Sequence, residues 1–138
     1  MKKVFILIVF LVLKIEAYSK NCDCIDIYYN NFSDEYCYSH TPSIYDNMVI
    51  TKSTMQETVK DVDTINMILD SIACYNKETS ISKNFYMRID LFSNGVLVEK
   101  IYISNLNTML RAGKYYEIPD SFFEWLNNTL NLNDFNKF

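Results

Sequence analysis

The sequence predicts an α+β fold: a two-layer domain in which an antiparallel meander sheet of 3–5 strands packs against two helices, with a disulfide-stapled N-terminal segment. Three observations carry this. From Phe85 to Phe92 apolar and polar residues alternate, and the run ends in Ser93-Asn94-Gly95. That is the period of a half-buried strand followed by a hairpin turn. Ile65, Ile68, Leu69 and Ile72 fall at helical spacing and make one apolar face. Pro119 ends the strand-like region, and Ser121-Phe122-Phe123-Glu124 has the form of a capping box.

In chain order, Ile25 to Tyr29 reads as a short strand inside an irregular segment, 18–46, rich in Tyr, Asn, Ser and Asp. Thr41-Pro42-Ser43 reads as loop. Met48-Val49-Ile50-Thr51 reads as a strand opening the body of the domain, 47–138. Thr54 to Glu57 resembles a capping box, but Asp61 or Asp63 caps equally well, so a helix over 61–75 is favoured, stopping near Asn76. Phe85, Met87, Ile89 and Leu91 then share one strand face, with Tyr86, Arg88 and Asp90 on the other. The return strand, 96–103, is apolar on both faces at its far end, which implies a bulge or full burial there. A turn at Asn105-Leu106-Asn107 leads to a tighter hairpin, 108–111 and 114–118, joined by Ala112-Gly113. The last helix covers 121–130, and the tail from Asn131 reads as fraying.

The N-terminus reads as an address. Lys2 and Lys3 precede an unbroken apolar run from Val4 to Leu13, then Ile15-Glu16-Ala17. Ten apolar residues make a helix of about 15 Å, half of a hydrocarbon core, so residues 1–17 fit a cleaved secretory signal peptide rather than a membrane anchor. Cleavage leaves 121 residues with 10 basic and 16 acidic side chains, a charge of −6 where the whole chain has −4. No later segment is long and apolar enough to span a membrane, so the product is expected to be soluble and secreted or periplasmic. Frequent Asn, Ile, Lys and Tyr with only two Arg point to an AT-rich bacterial genome. In layout the chain resembles small exported proteins of such bacteria; no motif carries that likeness, and it implies no activity.

All four cysteines, Cys22, Cys24, Cys37 and Cys74, lie after the address. An even count in an exported chain predicts two disulfides, either 22–37 with 24–74 or 22–74 with 24–37.

Several chemistries are excluded or disfavoured. Two glycines, Gly95 and Gly113, build no phosphate cradle, and a single histidine, His40, provides neither an HExxH zinc site nor a ready hydrolytic triad. An acidic chain is a poor ligand for nucleic acid. The near-neighbour carboxylates Asp23 and Asp26, Asp34 and Glu35, and Asp61 and Asp63 read as surface or caps, and no calcium loop is present. No cofactor, metal or catalytic residue is therefore expected. Eleven tyrosines are a surplus, and Tyr suits interfaces. The candidate binding surface is the sheet face bearing Tyr86, Arg88 and Asp90, extended by Tyr102 and Arg111. The expected function is an exported acidic binding module without enzymatic activity, an inhibitor, an immunity-type protein or an envelope accessory protein, with a protein partner outside the cytoplasm. The alternative is a small extracytoplasmic hydrolase.

Overall fold

A computed structural model describes residues 21–30, 41–50, 54–81, 85–104 and 107–130. The address at 1–17, Asp34, Glu35, Cys37, His40, the turn residues Asn105 and Leu106, and the tail from Asn131 lie outside the described residues. The elements run β1 (Cys24–Tyr29), α1 (Pro42–Ile50), β2 (Met55–Val59), α2 (Val62–Cys74), β3 (Phe85–Ser93), β4 (Val96–Ser104), β5 (Thr108–Arg111), β6 (Lys114–Glu117) and α3 (Ser121–Leu130). The fold is α+β, with one antiparallel sheet of six strands in the order β2-β1-β3-β4-β5-β6.

The described residues form three helices and six strands, against the expected two helices and 3–5 strands, and the additions lie in 41–59. Met48 to Thr51 was expected as a strand because Val, Ile and Thr favour one. Instead, residues up to Ile50 close a helix. Thr41 starts it: its hydroxyl accepts from the Ile44 N–H at 3.4 Å, its carbonyl takes the Tyr45 N–H at 2.9 Å, and Pro42 stands at the first helical position. Met55 to Val59 is the sixth strand rather than a helix start. It pairs along β1 from Ile25 opposite Val59 to Tyr29 opposite Met55. Asp61 is then the true cap of α2, accepting from the Thr64 N–H at 2.9 Å and the Thr64 hydroxyl at 2.7 Å.

The two faces of the sheet differ. Ile25, Ile27, Met87, Ile89, Leu91, Ile101, Ile103 and Met109 point to one face, where α2 lays Ile65, Ile68 and Ile72 and α3 lays Phe122 and Leu126. This is the main core. The other face was expected to be open. Instead α1, the connection between β1 and β2, crosses it and buries Tyr45 against Phe85 and Tyr102. The molecule therefore has helices on both sides of its sheet, not the two layers expected.

The disulfide staple is not supported. Cys22, Cys24 and Cys74 are free thiols. In β1 side chains alternate, and Ile25, Ile27 and Tyr29 take the α2 side. Cys24 is thereby turned to the opposite face from the helix that ends at Cys74. Cys22 packs against the core edge, where its thiol donates to the Cys24 carbonyl at 3.3 Å and burial pushes its pKa up. Cys24 is raised likewise, by burial first and by neighbouring Asp26.

Candidate functional site

The β3–β4 hairpin sets the polar face through its register. Ser93 pairs with Val96 across Asn94-Gly95, whose φ values of 51° and 76° are those of the left-handed turn expected from this dipeptide. Continued unchanged, that register would place Glu99 opposite Asp90. An irregularity between Leu91 and Phe92 shifts it by one residue, so Glu99 lies opposite Leu91 and Lys100 opposite Asp90. A cation thereby stands opposite Asp90 where the unshifted register would set a second carboxylate.

Arg88 occupies the centre of this face. It is 6% exposed, and Asp90 is 2% exposed. Its Nε donates to Asp90 Oδ1 at 2.8 Å and Nη2 to Asp90 Oδ2 at 2.6 Å, while Nη1 reaches across to Asp46 Oδ1 on α1 at 2.8 Å. Asp46 also accepts from the Tyr102 hydroxyl at 2.7 Å and from Lys100 Nζ at 3.3 Å. The Arg88 guanidinium lies 4.8 Å from the centre of the Tyr28 ring. One residue before Asp46, the buried Tyr45 hydroxyl donates to the Tyr86 carbonyl at 2.7 Å.

The electrostatics follow from this wiring. Burial tends to raise the Asp46 carboxyl, but donors from Tyr102, Arg88 and Lys100 outweigh it and hold the pKa below the ordinary range. Asp90 moves up, because burial outweighs the Arg88 fork. Arg88 moves up despite its own burial, held by the two carboxylates. Tyr45 is driven far above the phenol range by burial, as is Tyr102 by burial and its bond to Asp46. Every charge in the cluster is already committed to another. Chemically, this arrangement clamps α1 to the sheet.

Of the five predicted surface residues, Arg88, Asp90 and Tyr102 come together, but beneath α1. Tyr86 is buried and lends its backbone carbonyl to Tyr45. Arg111 is elsewhere, paired with Glu99 at 2.8 Å. Sequence reading missed Asp46, Tyr45 and Lys100. The Thr41-Pro42 helix start was the available signal for the first two, and only the register shift places the third.

An accessible cleft lies on the opposite side of the sheet, between α2 and α3. It has a volume of about 580 Å³ and is lined by Met67, Asp70, Ser71 and Tyr75 from the α2 side and by Phe122 and Trp125 from α3. Its aromatic floor is ordered: Tyr75 meets Phe122 edge-on with ring centres 5.7 Å apart, and Phe122 and Trp125 lie 6.1 Å apart. Met67 is 49% exposed. Neither helix contains a Lys or Arg, whereas Asp63, Asp70 and Glu124 are exposed on them. Among the described residues, no group of three or more His, Cys, Asp or Glu is arranged to hold a metal, and no helix is long and apolar enough to cross a membrane.

No protein-family model, curated protein or solved structure matches this chain.

Proposed function

We propose that this is an exported, non-enzymatic binding module whose partner is a basic protein outside the cytoplasm. It acts as an inhibitor, immunity-type or envelope accessory protein. The observation that carries the reading is the distribution of charge. The described residues include thirteen acidic and six basic side chains. Five of the six basic groups, Lys77, Arg88, Lys100, Arg111 and Lys114, are already in ion pairs. Among the described residues, α2 and α3 themselves carry carboxylates and no cation, and the sixth basic group, Lys60, is exposed between β2 and α2. Such a surface steers basic partners toward it and repels acidic ones, with an effect that salt weakens. The polar cluster is consistent with the same reading, since Arg88, Asp90 and Asp46 saturate one another beneath a helix.

The test is affinity capture of extracellular proteins from the native host on the immobilised protein, beside a variant with Asp63→Asn, Asp70→Asn and Glu124→Gln. The expected result is a basic protein retained by the wild type at low salt and lost from both the variant and the high-salt wash. Retention of the same proteins by both forms would contradict the proposal.

A further inference from the structure

The cleft between α2 and α3 has a chemistry narrower than general acidity. Its floor is apolar and aromatic, with exposed Met67 and half-buried Trp125 beside the buried Phe122. Asp70 lies in the wall itself, three residues from Met67 on the same helical surface. Asp63 flanks Met67 one turn before, and Glu124 lies three residues after Ser121, which lines the other wall. The site thus alternates an apolar seat with a carboxylate margin.

We propose that this groove binds an extended basic segment of the partner protein. The segment seats an apolar side chain on Met67 and Trp125 and sets a flanking lysine or arginine against Asp70. The proposal rests on the reading of the molecule as a module for a basic partner and names the place of contact. Charge complementarity selects the occupant. A second copy would bring its own acidic helical side, and its described cations are mostly tied up in ion pairs. An acidic segment would meet Asp63, Asp70 and Glu124 with nothing on either helix to neutralise it. A wholly polar basic segment would leave Met67 and Trp125 uncovered.

Trp125 is the single tryptophan of the chain, so its emission reports on the groove alone. The probe is a short amidated peptide of alternating lysine and leucine. The comparison peptides are alternating glutamate and leucine, and alternating lysine and serine. The lysine–leucine peptide is expected to give a saturable blue shift. Met67→Ser should weaken it about tenfold, the cost of one poorly covered apolar contact. Asp70→Asn should weaken it about threefold, the scale of a rim ion pair. Both positions are exposed, so each variant is expected to keep the wild-type far-UV circular dichroism spectrum, which is recorded beside the titration. Equal response to the glutamate–leucine or lysine–serine peptide, no saturable response, or indifference to both substitutions would overturn the proposal. So would an emission that changes with protein concentration alone, which would assign the groove to a second copy. If Met67→Ser still captures a basic partner in a salt-sensitive way, the groove is wrong while the broader reading stands. If the wild type captures none, the broader reading fails.

Discussion

Arg88 decides whether the polar face of the sheet is tolerable. It is the buried cation between two carboxylates, one on its own strand and one on α1. Removing one partner of such a pair strands the other, which costs about 3–5 kcal/mol, whereas replacing both by apolar groups is often neutral. Arg88→Met should therefore lose about 3 kcal/mol or more in urea unfolding, and Arg88→Met with Asp90→Leu should recover most of that loss. Asp46 gives a pH test. Its folded pKa lies below its unfolded value, held down by Tyr102, Arg88 and Lys100 against burial, with Asp90 the nearby like charge. A lowered acid contributes stability that is present above the unfolded value of about 3.9 and lost as pH falls through the folded one. Asp46→Asn should thus cost about 1 kcal/mol at neutral pH, and the difference from wild type should shrink as pH falls below about 4. A gap that stays constant across the acid range would show that Asp46 contributes nothing through its charge. Of these residues, Arg88, Asp90 and Tyr102 were visible as a set because alternation along β3 and β4 puts them on one face. Their burial was invisible, since it depends on a helix from a segment that reads as loop.

At the scale of elements, legibility followed the length of the pattern. The β3–β4 hairpin and α2 repeat their periods over many residues, and both stand where the sequence puts them. The β-branched residues Val49 and Ile50 favour a strand, yet they finish α1 because Thr41-Pro42 starts a helix and Tyr45 and Val49 pack onto the sheet. Met55 to Val59 is too short to show alternation above its cap-like residues, and only pairing with β1 defines it. The two hairpins offer a matched prediction. Ala112 and Gly113 turn with φ values of 48° and 76°, so a residue with a Cβ occupies the left-handed region where asparagine stands in the other hairpin. Ala112→Gly should stabilise the protein by about 1 kcal/mol, and Gly95→Ala should destabilise it by a similar amount. At Gly95 a Cβ would meet no atom within 4 Å, so the expected loss is backbone strain alone. Urea midpoints of the two variants check both signs.

Across the molecule as a whole, five of the six cations among the described residues are drawn into ion pairs, while α2 and α3 keep Asp63, Asp70 and Glu124 around an aromatic groove. The excess acid was evident from composition, but its placement was not, because pairing between distant strands decides which cations remain available. The cysteines show the opposite failure: their even count suggested a framework, while the three described, Cys22, Cys24 and Cys74, are free thiols, and strand alternation sends Cys24 to the face away from Cys74. The central claim, that the helical side engages a basic protein, is tested most directly by crosslinking in the native host. The full chain carries a photoreactive group through Met67→benzoylphenylalanine, and a control carries it through Ile81→benzoylphenylalanine at another exposed position. An adduct with one basic protein is expected from position 67, and it should be lost when Asp63→Asn, Asp70→Asn and Glu124→Gln are added. Adducts only with copies of the chain itself, with an acidic protein, or equally from position 81 would contradict it.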